Sequence, residues 1–448
     1  MKYLRILVLA LFVACAITPS TAAPTVKEWT WLVFLNADNN LDSYGVADQL
    51  EMAKVGSNDF LNIISLIDRE NGPATLNYIE KGNVKKLKDM GELDMGNYKQ
   101  LVKFVKDMAA AYPAKHYAVI IWNHGSGWEK SKLQAIKGIS YDDSTGNHIT
   151  TGQLGLAFGE IKKALGRNVD IFAMDACLMA MVEIAYAVKD DVDIVVASEE
   201  TEPGDGFPYD DMLKGLKKGM DAPTFAQHLV KAYVASYDGG SQGSSDTTQS
   251  AIVCAKLGSL RDAIEGFAKA AIAGNFAKEF SAALNSVQTF YISDNIDLTH
   301  FVSLLKSSIS DAGFQTAVNK LQTALGEAIL AHANCGASMQ NAFGMAIYFP
   351  SSSYSFSSDY NGLAFAKDSQ WEEMIQDFYK KNTSVIVSGV ENGDISSLIG
   401  YVKTANANNR EVSSHLTSKL NFRLFSEGGL STSIKNSVKN LLNELKSK

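Results

Sequence analysis

Tyr117-Ala-Val-Ile-Ile-Trp-Asn123 runs into His124-Gly-Ser-Gly-Trp128, and Val169-Asp-Ile-Phe-Ala-Met174 runs into Asp175-Ala-Cys177-Leu-Met179. Each is an almost unbroken apolar run of strand length that ends on a reactive side chain. Strands buried on both faces read this way, whereas half-exposed strands alternate apolar with polar. Working outward, Trp29–Asn36 (WTWLVFLN), Leu61–Asp68 (LNIISLID) and Val192–Ser198 (VDIVVAS) repeat the pattern. Amphipathic helical spacing fills Tyr98–Tyr112 and Thr151–Leu165 between them. Apolar strands alternating with helices predict an α/β fold, a parallel sheet covered on both faces. Ser250–Ala255 and Phe343–Pro350 (FGMAIYFP) read as late strands of the same or an adjoining sheet, and 236–250 as a flexible Gly/Ser loop.

The chain divides into an N-terminal signal (1–22), a main domain (23–380) with a helical insertion near 257–335, and a polar C-terminal region (381–448) of unassigned role. The 448 residues, 46% hydrophobic with only 8 Pro, exclude a low-complexity or largely disordered chain and supply ample core. Acids exceed bases, 49 to 41, which argues against a protein built to hold nucleic acid or anionic membrane. Lys2 and Arg5, the apolar run Ile6–Ile17 and the small residues Ser20-Thr21-Ala22 read as an export signal cut near Ala23. A competing reading lipidates Cys15 in Val13-Ala14-Cys15, although Phe12 fits that pattern poorly. No other segment is apolar and long enough to cross a membrane as a helix. Export would leave Cys177, Cys254 and Cys335, an odd number, hence a free thiol unless another chain pairs with it. Cys254 reads as a core residue; a Cys254–Cys335 disulfide stays open.

Ligands of open parallel sheets bind beyond the carboxyl ends of the strands. His124 and Cys177 each directly follow a strand, which brings both to one rim. The thiolate form of Cys177 would attack a carbonyl, favoured if the apolar stretch after it (LMAMVEIAYAV) is a helix with its N-terminus at the sulfur. His124 would move the protons, and the backbone N–H groups of Gly125 and Cys177 would hold the developing oxyanion. This is acyl transfer, most simply peptide hydrolysis, and it requires no metal or cofactor. Gly239–Gly243 fits a Gly-x-Ser-x-Gly pattern but has no strand before it.

The segments NHGSGW and MDACLM, with His and Cys roughly 50 residues apart, resemble the histidine and cysteine motifs of the clostripain family of cysteine peptidases, relatives of caspases, legumains and gingipains. FLNADNNLD, SEETEPGDGFPYD and GMAIYFP extend the resemblance over about residues 28 to 350. It implies a caspase-like α/β/α sandwich with a mostly parallel central sheet and a smaller mixed C-terminal region. It implies His124 and Cys177 as the catalytic dyad. It also implies Asp175 and Asp205 as acids of a pocket that takes Arg or Lys before the scissile bond. A bland alternative makes Asp175 a helix cap and Asp205 a turn cap; Glu199 and Glu200 are unassigned. The family matures by self-cleavage between the two motifs, and Lys130, Lys132 and Lys137 lie there, with Lys137–Gly138 the first-choice bond and Lys132–Leu133 the second. Some members need calcium. Asp142-Asp143 and Asp38-Asn39-Asn40 offer oxygen ligands, though neither follows an EF-hand loop. The expectation is an exported cysteine endopeptidase acting on proteins or peptides with Arg or Lys at the cleavage position. The alternative is an exported non-catalytic scaffold on the same fold.

Overall fold

The structure, a computed structural model, describes residues 25–128, 138–353, 355–391, 436 and 438–440. The signal segment with Cys15, and Lys130, Lys132 and Lys137, lie outside the described residues, as does nearly all of 392–448. Nine strands form the main sheet: β1 (Lys27–Ala37), β2 (Leu61–Arg69), β3 (Gly72–Glu80), β4 (Asn83–Gly91), β5 (Ala114–Trp122), β6 (Val169–Asp175), β7 (Val192–Ala197), β8 (Thr247–Val253) and β9 (Ile329–Cys335). Their order is β9-β8-β7-β6-β5-β1-β2-β3-β4. The five central strands run parallel, and the two at each edge are antiparallel.

The apolar runs explain the layers. Successive side chains point to opposite faces, so β1 sends Leu32 and Phe34 to one core and Trp31, Val33 and Leu35 to the other. The first core is closed by helices Tyr98–Ala111, Thr151–Leu165 and Leu257–Ala273, the second by Asp42–Val55 and Ala222–Tyr237. Helix Thr151–Leu165 starts on a capping box, in which the Thr150 hydroxyl accepts from Gln153 N–H and the Gln153 side chain accepts from Thr150 N–H. It stops at Gly166, whose φ of 72° places it in the left-handed region.

The structure sharpens five readings. Residues 329–335, read with the helical insertion, form edge strand β9; the helices end at Ala328. Residues 236–250 are not an open loop, because they finish a helix, turn through a short hairpin and begin β8. Phe343–Pro350 supplies a strand of an adjoining sheet, one of its two readings, but only over Ala346–Tyr348, which pairs with Asn295–Asp297. The boundary set at residue 380 falls inside one helix, Trp371–Glu391. Finally, all three described cysteines are free. Cys335 pairs in register with Thr247 at one end of β8, whereas Cys254 follows its other end. At about 3.4 Å per residue that separation is far beyond disulfide reach.

Candidate active site

The sheet delivers the two expected side chains together. Strands β5 and β6 are parallel neighbours with Trp122 opposite Asp175, so each chain leaves the sheet at the same level and reaches His124 or Cys177 two residues later. Both line one cleft of about 260 Å³, with Leu41, Asp175, Glu202 and Gly204 among the other walls. Gly125 explains how closely the two loops pack. A Cβ there would lie 2.4 Å from the Cys177 carbonyl oxygen, well inside van der Waals contact, so only glycine fits.

Cys177 does not sit at a helix N-terminus, contrary to expectation. The helix begins at Val182 and runs only to Val188. The intervening residues are claimed by neighbours: Leu178 N–H donates to Glu200 O and Ala180 N–H to Ser198 O, and Leu178 has φ 66°. A helix dipole acts within its first turn, so it gives this sulfur no support. Burial, followed by the nearby acids Glu200 and Asp175, instead pushes the thiol pKa up, although Glu202 N–H, 3.3 Å from Sγ, opposes this. Burial also pushes His124 down, with the Asp143 charge opposing. Burial therefore favours a neutral thiol and a neutral imidazole in the resting site.

Asn40 is a residue the sequence places only among oxygen ligands. Its Oδ1 lies 2.7 Å from His124 Nε2. An amide oxygen can only accept, so the proton resides on Nε2 and the lone pair on Nδ1. Asn40→Ala is expected to lower kcat about tenfold with KM nearly unchanged; a change confined to KM in steady-state assays would contradict this positioning role.

Asp175 is buried and caps no helix. Phe207 N–H (3.2 Å) and Tyr209 OH (2.8 Å) donate to its two oxygens. Burial lifts its pKa to about 6, with hydrogen bonds from Glu202, Tyr209 and Phe207 restraining the rise. Glu202 and Asp48, both buried against it, are pushed well above the carboxylate range, by burial first and the Asp175 charge second. Asp205 is exposed; its backbone carbonyl accepts from Gln242, and its neighbours Gly204 and Gly206, rather than Asp205, line the cleft. Glu199 is buried against Asp297 and accepts from Gly344 N–H, while Glu200 accepts from Tyr291 N–H. Both are anchors between loops.

The folding of Asp38 against Asp142-Asp143 brings the two oxygen-rich segments together, with Asp143 N–H donating to Asp38 O. Among the described residues, however, no group of three His, Cys, Asp or Glu side chains is spaced to hold a metal ion.

Buried acids make stability depend on pH. Burial raises Asp68 and Glu183 to about 7 and Asp175 and Asp297 to about 6, against about 4 in an unfolded chain. A raised carboxyl contributes stability that is complete below its unfolded value and is lost as pH rises through its folded value. The Tm is therefore expected to fall by a few °C, roughly, between pH 6.5 and 8.5. Scanning calorimetry showing a rise over that range would refute it. Below pH ~6.5 the lowered His124, His300 and His332 begin to oppose the trend.

Comparison with known proteins supports the fold and family. The clostripain family model matches residues 33–378. Clostripain of Hathewaya histolytica is 31% identical over 228 residues, a match spanning 43% of this chain and 43% of that protein's length. Two solved structures share the fold. A secreted cysteine protease of Bacteroides thetaiotaomicron, iotapain, is 19% identical with a TM-score of 0.60, over 77% of this chain and 99% of that one. An inactive protease zymogen of Parabacteroides distasonis is 18% identical with a TM-score of 0.59, over 78% and 99%. Among the described residues no helix is long and apolar enough to cross a membrane.

Proposed function

Because the chain belongs to the clostripain family, we propose that it is an exported cysteine endopeptidase that hydrolyses peptide bonds after Arg or Lys. One observation carries this reading: Cys177 and His124 open into a single cleft whose inner wall is the buried acid Asp175. With substrate bound, His124 Nδ1 takes the Cys177 proton as sulfur attacks the carbonyl carbon. The oxyanion is held by the N–H groups of Gly125 and Cys177. The imidazolium then returns its proton to the leaving amine as the C–N bond breaks; His124 next deprotonates a water that attacks the thioester, and the C–S bond breaks as the imidazolium returns that proton to Cys177. Every proton and electron pair comes from the chain, the substrate or water. A neutral resting pair suits this order, since the thiolate forms only as it is consumed.

The same site would mature the chain by self-cleavage. Gly138 argues for Lys132–Leu133 over the first-choice Lys137–Gly138. Gly138 is buried, its N–H donates to Ser126 Oγ at 3.2 Å, and a Cβ at that residue would lie 2.1 Å from Ile149 O. A cut before Gly138 would leave a new ammonium in that buried position, at a desolvation cost.

The test is a set of fluorogenic peptides ending in Arg, Lys or Asp, incubated with purified protein with and without a thiol-alkylating agent. Thiol-dependent cleavage after Arg or Lys is expected. No such cleavage would return the chain to the scaffold reading; cleavage after Asp alone would overturn the acidic pocket.

A further inference from the structure

Leu178, directly after Cys177, holds φ at 66°, in the left-handed region that a leucine avoids unless its surroundings impose it. The conformation turns two successive carbonyls onto the histidine loop: a Cβ on Gly125 would lie 2.4 Å from Cys177 O, and one on Gly127 3.3 Å from Leu178 O. Two rungs impose it. Leu178 N–H donates to Glu200 O at 3.1 Å, and Ala180 N–H to Ser198 O at 2.8 Å. The 198–200 segment is fixed from behind by Thr248, on β8, two strands away from the cysteine. Thr248 Oγ1 accepts from the N–H groups of Glu199 (3.0 Å) and Glu200 (3.1 Å) and lies 2.9 Å from Ser198 Oγ. A hydroxyl has one hydrogen and two lone pairs. Both lone pairs of Thr248 are taken, so it donates to Ser198 Oγ, and Ser198 donates onward to Glu200 O at 3.0 Å. Leu178 N–H ends on that same carbonyl. Thr248, Ser198 and Leu178 are all buried, which shields this chain of donors from solvent.

From this chain of donors, and resting on the peptidase reading above, we infer that Thr248 is a positioning residue. Its hydroxyl, acting through Ser198 and Glu200 O, keeps Leu178 left-handed and so sets Cys177 against His124 for attack. With a methyl in place of the hydroxyl, two buried N–H groups lose their acceptor and Ser198 loses its donor. The segment then shifts, Glu200 O moves off Leu178, and the leucine's own preference draws the backbone away from the left-handed region. The nucleophile is displaced. Asp175 is not, because Phe207 and Tyr209 hold it independently.

The experiment measures kcat, KM and Tm for wild type, Thr248→Val, Thr248→Ser and Thr247→Val, on whichever of an Arg and a Lys peptide is cleaved faster. Thr247 is the control: its buried hydroxyl meets Cys335 Sγ at 3.1 Å, so its loss costs stability without reaching the cysteine loop. Thr248→Val is expected to lose about 10- to 100-fold in kcat with KM within about threefold. Thr248→Ser keeps the hydroxyl and is expected to stay within about threefold of wild type in kcat, as is Thr247→Val despite its lower Tm. A Thr248→Val kcat within about threefold of wild type overturns the assignment, as does an effect confined to KM. So does a Thr248→Ser no better than Thr248→Val, or an equal kcat loss in Thr247→Val. Should Thr248→Val fail to fold, Ser198→Ala carries the test. It breaks only the link to Glu200 O, with an expected loss of about tenfold in kcat, and a loss below about threefold overturns the assignment. Wild type that iodoacetamide alkylates at Cys177 yet that cleaves neither peptide overturns the peptidase reading itself, a result distinct from all of these.

Discussion

Cys177→Ala is expected to reduce cleavage of Arg and Lys peptides to background, a fall on the order of 10⁵ in kcat. No other described thiol can stand in. Cys254 is buried at the far end of β8, and Cys335 is buried with its sulfur hydrogen-bonded to Ser245 O and Thr247. Alanine at either of those positions should leave cleavage largely intact and cost stability instead. Cys177→Ala should barely move the Tm, because Sγ contributes only long contacts to the Glu202 backbone. The same variant separates self-cleavage from contamination. Wild type should run as two fragments on a denaturing gel, with a new N-terminus at Leu133, and Cys177→Ala as one. Residual thiol-dependent cleavage in the variant would remove Cys177 from the mechanism; a single intact band for both proteins would remove self-cleavage but leave peptide hydrolysis standing.

Gly125→Ala is the second large effect. The added methyl would meet the Cys177 carbonyl at 2.4 Å and the Ala176 and Met179 side chains at 3.1 Å. The first of these is backbone, so relief requires the histidine loop and the cysteine loop to part by about an ångström. A displacement of that size costs on the order of 10²-fold in rate, and here it strikes the proposed nucleophile, the proposed base and a proposed oxyanion donor at once. The expected result is a fall of at least about 100-fold in kcat with a loss of about 1–3 kcal/mol of stability. Kinetics of a folded Gly125→Ala protein within about threefold of wild type would show that the loops can yield, and that close packing is not what aligns the pair.

Much of this was legible in the residues because the central strands are buried on both faces, and an unbroken Val/Ile/Leu run of strand length belongs in such a place. β5 and β6 therefore announced both themselves and the residues at their ends. The edges were harder. β4 (NVKKLKDMG) is exposed along most of its length and carries the composition of a surface segment, while β9 (ILAHANC) is rich in helix formers and becomes a strand only because β8 is there to pair with it. Contacts between distant loops left no local signal at all. Asn40 meets His124 and Glu202 meets Cys177 only after folding, and the helix after Cys177 starts late because Leu178, held by Glu200 O, takes the left-handed conformation that a helix cannot contain.

The order of strands in the sheet has a further consequence. β1, β2 and β5 precede residues 129–137 and β6 follows them, yet β5 and β6 lie side by side at the middle of the sheet. Scission between them would leave two polypeptides joined through the sheet, and no smaller domain would come away. Thermal unfolding of the cut protein would then be a dissociation, with a midpoint that rises with protein concentration, whereas that of the uncut chain would not. Refolding would require two partners to find each other, so the mature form would be the harder of the two to regain once lost.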